Sequence, residues 1–307
     1  MGADFLTTTL IIVEKDQLSH QKTTMWNTLK VGFLLTALTC LFVFLGNMLG
    51  GQVGMIIAFV LALVMNGGAF WFGDKMAIMA TRAQPMDRSQ APEIYRMTEE
   101  LAEKAGIPMP RLYYVPDPTP NAFAVGRNPK VGVVALNEGL LRMLTPEEVK
   151  GVIAHEIAHI KHRDTLTMAI VASLAGGIMM IANILQFTAF FMGGDEDSPN
   201  PIMLLGMALI APIAATIIQL AVSRAREYEA DKTAAQLVGT GQGLTSALLK
   251  LERGLSVMPS HVPSNRAHMY ISSPISRGGL ANLFRTHPAT EDRVRKLSEV
   301  EAQLRRA

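Results

Sequence analysis

Three stretches of the chain contain no Asp, Glu, Lys or Arg: Val31–Gly73, Thr165–Gly194 and Ser198–Ser223. A helix needs about 20 apolar residues to cross the hydrocarbon core of a bilayer. The first stretch is long enough for two crossings and is broken at its middle by Gly46, Asn47, Gly50 and Gly51, so spans are expected near 31–49 and 53–72. The other two stretches flank Gly193-Gly194-Asp195-Glu196-Asp197-Ser198-Pro199-Asn200 and predict spans near 167–191 and 202–222. Buried helices of a soluble core are the alternative, but such helices seldom run so long without a charge. Lys22 and Lys30 precede the first span, Lys75 and Arg82 follow the second, Lys161 and Arg163 precede the third, and Arg224 and Arg226 follow the fourth. Lys and Arg are retained on the cytoplasmic side, which places both termini and 74–164 there and the two short hairpin tips opposite. The late start of the apolar run argues against a cleavable signal peptide.

Between the hairpins the pattern changes to that of a folded polar segment. Ser89 before Ala91-Pro92-Glu93 predicts a capped helix running to about Ala105, stopped by Gly106 and Pro108. Arg111–Val115, Asn121–Val125 and Val131–Leu136 read as short strands, with a turn around Gly126-Arg127-Asn128-Pro129. Thr145-Pro146-Glu147-Glu148 is a capping box with Pro inside it. After it, Val149, Val152, Ile153, Ile157 and Ile160 recur at helical spacing and predict a helix with a buried face. Residues 254–285, rich in Ser, Pro and Gly, predict no regular element.

Composition agrees with this division. The chain has 307 residues, 49% of them hydrophobic and only 18% charged, where about 25% charged is usual. That balance excludes intrinsic disorder and leans toward a bilayer protein. A net charge of +2, with Lys and Arg scattered, gives no reason to expect nucleic-acid binding. The single Cys40 excludes an internal disulfide framework.

His155-Glu156-Ile157-Ala158-His159 lies within the capped helix. Residues four apart project from one face, so both imidazoles can reach a single tetrahedral zinc, and Glu156 beside it can take a proton from a metal-activated water. His162 shares that face but stands about 10 Å along the axis from His155 at 1.5 Å per residue, too far for one ion. It reads as part of a basic flank at the membrane interface. The third ligand is expected from Ser223-Arg224-Ala225-Arg226-Glu227-Tyr228-Glu229-Ala230-Asp231, because the second hairpin returns the chain to the same membrane face. There Glu227 can bind metal while Asp231, one turn on, accepts a hydrogen bond from a ligand histidine. Glu229 points elsewhere and reads as solvated. An ion pair of Glu227 with Arg224 or Arg226 is the alternative on spacing alone.

Taken together, the sequence resembles the HtpX family of integral-membrane zinc endopeptidases, relatives of the CAAX prenyl proteases. The resemblance covers nearly the whole chain from Met25 and is carried by Met25-Trp26-Asn27-Thr28-Leu29-Lys30, Pro120-Asn121-Ala122-Phe123-Ala124, the His155–His159 motif, Ser223–Asp231 and Thr286-His287-Pro288-Ala289-Thr290-Glu291-Asp292-Arg293. Residues 1–24 look like an extension relative to that family. The resemblance implies a protease of the bacterial cytoplasmic membrane that helps remove misfolded or damaged membrane proteins under stress. It implies one zinc ion held by His155, His159 and Glu227, with Glu156 as catalytic base.

The expected fold is an α-rich α+β arrangement: four transmembrane helices in two hairpins, plus a cytosolic gluzincin-like zinc protease domain with a small β-sheet. Its parts are 1–30 (an N-terminal segment), 31–73 and 165–222 (the hairpins), and 74–164 and 223–307 (the two halves of the protease domain). Val131, Val133, Val134 and Ala135 are expected on an edge strand that pairs with extended substrate. His287 is a possible donor to the oxyanion or simply a residue that starts a helix. Two other classes stand against this reading. An intramembrane-cleaving protease would carry its motif in an apolar span, whereas Glu147, Glu148 and Lys150 precede it here. A non-catalytic scaffold or transporter gives no reason for Glu156 between two ligands.

Overall fold

The computed structural model describes residues 51–64, 71–164, 226–257 and 288–306, with isolated residues between 36 and 47 and at 67–68. The expected spans near 167–191 and 202–222 lie outside the described residues, as does His287. Of the first hairpin, residues 51–64 (labelled α1), 67–68 and 71–81 (labelled α2) are helical. Among the described residues no helix is long and apolar enough to cross a membrane. Both helices nevertheless expose large apolar side chains, including Val53, Ile56, Phe59 and Val60 on α1 and Trp71, Phe72, Met76 and Met79 on α2.

The polar segment folds as expected, with corrections at particular residues. After the short strand β1 (Gln84–Pro85) comes α3 (Pro92–Ala105), which ends at Gly106 in the left-handed region (φ 68°). The Gly106 and Ile107 N–H groups then reach back to the carbonyls of Glu103 and Ala102. Ser89 does not cap α3. The N-cap is Ala91, which makes no side-chain bond, because Asp87 Oδ1 takes both the backbone N–H and the hydroxyl of Ser89 at 2.8 Å.

Strands β2 (Arg111–Val115), β3 (Ala122–Val125) and β4 (Val133–Asn137) complete a mixed sheet of order β1-β2-β4-β3. β4 pairs parallel with β2 and antiparallel with β3, so it is central. This corrects the edge-strand expectation for Val131, Val133, Val134 and Ala135: the edge on that side is β3, and Val131 closes the 3-10 turn Pro129–Val131. The physical reason lies in the pattern itself. Every residue of β4 is buried, and a run without alternation marks a strand covered on both faces.

After a short helix α4 (Glu138–Met143) comes α5 (Pro146–His162). Its capping box forms as predicted: the Thr145 N–H donates to Glu148 Oε2 at 2.8 Å, and the Glu148 N–H to the Thr145 hydroxyl at 3.4 Å. Val149, Val152, Ile153, Ile157 and Ile160 are all buried. α5 packs against α3, β3 and α7 (Gln242–Val257), and α7 in turn against α8 (Thr290–Leu304). Residues 226–238 form the intervening helix α6. Glu148 ties α5 to α7 by accepting from the Ser246 hydroxyl at 2.5 Å and from Lys250 Nζ at 2.8 Å.

The two helices meet glycine to backbone. A Cβ on Gly151 would stand 2.6 Å from the Leu244 nitrogen, and one on Gly243 would stand 2.6 Å from the Glu147 carbonyl oxygen. Neither neighbour is a side chain that can swing away. Gly151→Ala should therefore push α7 off α5 and destabilise the protein by about 1–3 kcal/mol, the usual cost of overpacking. Denaturant midpoints of the purified variant and the wild type measure this, and an unchanged midpoint would show that the helices separate without cost.

Candidate metal centre

α5 carries His155 and Glu156 into the core while Glu147 stays exposed. His155 is 1% exposed and Glu156 4%, inside a helix whose neighbours Ala154, Ile157 and Ala158 are fully buried. The periodicity of Val149 to Ile160 fixes one buried face against α3 and α7, and Glu227, Asp231 and Thr233 of α6 reach His155, His159 and His162. His155 and His159, one turn apart, stand with ring planes at 83° and their Nε2 atoms 3.1 Å apart.

Glu227, near the start of α6, completes the group. Its Oε2 is 3.6 Å from His155 Nε2, and its Oε1 is 3.6 Å from His159 Nε2. His155, His159 and Glu227 are the group among the described residues whose ligand atoms cluster closely enough to hold a metal ion. Ligand atoms bound at about 2.0–2.2 Å in a tetrahedron are separated by about 3.3–3.6 Å; here the two nitrogens are 3.1 Å apart and each is 3.6 Å from one of the two Glu227 oxygens.

The far nitrogens of both rings are held as well. His155 Nδ1 is 3.0 Å from Asp231 Oδ1, and His159 Nδ1 is 3.1 Å from Asp164 Oδ2. A carboxylate on Nδ1 keeps the proton there and leaves Nε2 as the lone-pair side. Two such lone pairs facing each other require a cation or a proton between them.

Asp231 is in turn clamped by Arg293 from α8. Arg293 Nε donates to Oδ2 at 2.8 Å and Nη2 to Oδ1 at 2.6 Å, while Nη1 lies 3.4 Å from Glu227 Oε2. Arg293 is 1% exposed. Burial works against its charge, but Asp231, Glu227 and Glu156 more than offset that and raise its pKa further. Burial would likewise raise the pKa of Asp231, yet Arg293 and His155 hold it below the ordinary value. Burial also disfavours a charged His155, but its bonds to Asp231 and Glu227 outweigh burial and raise its pKa to about 9.

The charge balance points the same way. Glu156, Glu227, Asp231 and Asp164 are all buried, and they face the guanidiniums of Arg293 and Arg226, whose side chains are 1% and 13% exposed. Among the described residues these four carboxylates outnumber the two guanidiniums, a setting that favours a cation between the two imidazoles.

The structure thus brings together His155, Glu156, His159, Glu227 and Asp231. Glu229 is exposed, as expected. Glu227 faces the histidines and Arg293, whereas the Arg226 side chain lies 3.8 Å from Asp164. His162 is corrected: it is 6% exposed, with Nε2 3.4 Å from the Thr233 hydroxyl. α5 ends at Arg163 in the left-handed region (φ 59°), and Thr233 of α6 lies against that last turn, so the His162 side chain is enclosed by protein instead of standing free on a basic flank. Sequence reasoning missed Asp164 and Arg293. Arg293 lies six residues beyond His287, in the segment that carries the resemblance, but a lone Arg gives no sign of what it binds.

Known proteins resemble this chain over most of its length. The model of peptidase family M48 matches residues 88–301. A Protease HtpX homolog from Paraburkholderia phytofirmans is 48% identical over 281 residues, covering 90% of this chain and 98% of the relative. Another from Syntrophobacter fumaroxidans is 50% identical over 270 residues, covering 86% and 96%. Among solved structures, Ste24p of S. mikatae superposes with a TM-score of 0.51 at 18% identity, covering 91% of this chain and 66% of that one, which shows a shared fold. With His155, Glu156, His159 and Glu227 gathered inside the matched region, the chain belongs to peptidase family M48, as a metalloprotease similar to the HtpX homologues.

Proposed function

We propose that the chain is a zinc-dependent endopeptidase of the bacterial cytoplasmic membrane that hydrolyses misfolded or damaged membrane proteins. His155, His159 and Glu227 hold the ion and Glu156 is the general base. The observation that carries this reading is the convergence of two Nε2 atoms and one carboxylate within 3.6 Å of one another, on the helix that also bears Glu156. When bound, zinc supplies a Lewis acid that polarises the scissile carbonyl and lowers the pKa of a water to about 7.

The chain's own residues do the rest. Glu156 takes the proton of the attacking water and delivers it to the leaving amine. Asp231 and Asp164 fix the ring orientation of His155 and His159, and Arg293 fixes Asp231. β3 ends the described sheet beside α5, so the substrate-pairing role expected of Val131–Ala135 passes to Ala122–Val125. An extended peptide added there is read through its main chain, which suits unfolded clients of varied sequence. The membrane location is supported by the charge-free stretches and by the exposed apolar faces of α1 and α2.

Purified protein should cleave an unfolded polypeptide, lose the activity to a chelator and regain it with zinc. Glu156→Gln should keep its zinc and lose at least about a hundredfold in kcat; cleavage at the wild-type rate would sink the mechanism. Arg293→Leu should lower zinc affinity about 10–100-fold by releasing Asp231, read by competition with a chromogenic chelator.

The pH dependence has a defined sign. Without metal, His155 carries a proton at any pH below about 9, and metal must expel it. Apparent zinc affinity should rise about tenfold per pH unit from pH 7 to 9 and level off above. The metal-free protein should behave oppositely. The stabilisation from the raised pKa is fully present below about 6.5, the ordinary histidine value, and is lost as pH rises through about 9. Calorimetric titration and thermal melts across this window check both slopes.

A further inference from the structure

A second constellation lies at the start of α2, against the ends of β2 and β3. A cavity of about 410 Å³ is lined by Trp71, Phe72, Asp74 and Lys75 from α2, by Arg111 at the first position of β2 and by Arg127 just beyond β3. The Arg127 guanidinium stands over the Trp71 ring at 4.8 Å, and the Lys75 ammonium lies 5.8 Å from the Phe72 ring centre. Arg111 reaches Asp74 at 3.5 Å. Three cations therefore face one carboxylate across a single cavity. Mutual repulsion among them is relieved by a bound anion, and two guanidiniums from separate elements form the donor set that suits phosphate oxygens.

The surroundings indicate where that phosphate comes from. Gly73 ends the charge-free stretch, and Asp74 and Lys75 are the first charges after it. Trp71 and Phe72 are 56% and 54% exposed beside the cavity, and Val53, Ile56 and Phe59 of α1, earlier in the same charge-free stretch, are exposed as well. Aromatic rings with cations at the end of an apolar segment mark the headgroup layer. A soluble anion would have no use for the two exposed rings.

We infer that this cavity binds the phosphate of an anionic phospholipid from the cytoplasmic leaflet, gripped by Arg111, Arg127 and Lys75 while its acyl chains lie along α1 and α2. This rests on the membrane reading above. The site anchors the protease half of the chain at a fixed height against the bilayer.

The test uses the full chain. Flotation with pure phosphatidylcholine vesicles comes first: if wild type does not float, the membrane reading has failed, and this inference with it. In neutral detergent, native mass spectrometry then counts bound phosphatidylglycerol against phosphatidylcholine. Wild type should retain phosphatidylglycerol selectively, and Arg111→Gln and Arg127→Gln should each weaken that retention about tenfold, as loss of charge-assisted bonds predicts. Lys130→Gln, an equal charge change on an exposed residue outside the cavity, should leave it unchanged. Unaltered circular dichroism and peptidase activity establish that the variants are folded; a variant failing this control is replaced by Lys75→Gln, which lies on the exposed side of α2. Equal retention of the two lipids by a wild type that floats would overturn the inference alone. So would equal losses in Lys130→Gln, which would mean a diffuse charge effect, or displacement of the lipid by millimolar inorganic phosphate, which would mean a site for the free anion.

Discussion

Burying four carboxylates beside two imidazoles is the constraint on which the rest of the structure depends. Each charge taken from water costs several kcal/mol unless it is paired, and here the pairing is reciprocal. Asp231 holds His155 and is held by Arg293, while Asp164 holds His159 and faces Arg226. The two Nε2 atoms and the Glu227 carboxylate converge between these pairs. Water competes poorly there, so a divalent ion at that point meets a full opposing charge in a low-dielectric site. The same pairs that keep the buried charges from destabilising the fold also set the geometry of the centre.

The surrounding fold exists to hold α5 in place. Its first turn is fixed by the capping box, its middle by apolar packing on α3 and β3, and its back by the glycine contacts with α7. Glu148 joins two of these functions, since one carboxylate both caps α5 and bonds Ser246 and Lys250 of α7. Displacing α7 would therefore disturb the helix start and the helix packing together. α8 reaches the centre through Arg293, while Leu297 holds the helix in the core and Glu301 accepts from the Gly241 N–H just before α7.

What could be read from the sequence divides along a physical line. His155, Glu156 and His159 are legible because a helix converts local spacing into spatial proximity without reference to the rest of the fold. Asp231 follows from Glu227 by the same one-turn rule. Glu227 itself required a topological step, the return of the chain to one membrane face. Asp164 and Arg293 were not legible, because a single charged residue far along the chain carries no mark of its partner. β4 shows the opposite case: the signal was present in its unbroken apolar run, which indicates two covered faces, while strand order is set by tertiary packing. Ser89 is taken up by a local turn, since its amide and hydroxyl both donate to Asp87 and the helix starts only after Ala91.

The clamp on Asp231 also has a consequence in time. Residues 155 and 159 leave the ribosome well over a hundred positions before residue 293. Until then Asp231 has no guanidinium to oppose it, and Glu227 and Glu156 lack the same counter-charge. A growing chain therefore passes through a long interval in which the motif is present but the electrostatic frame around it is not. The ligands His155, His159 and Glu227 are thus all made before the counter-charge that completes their frame.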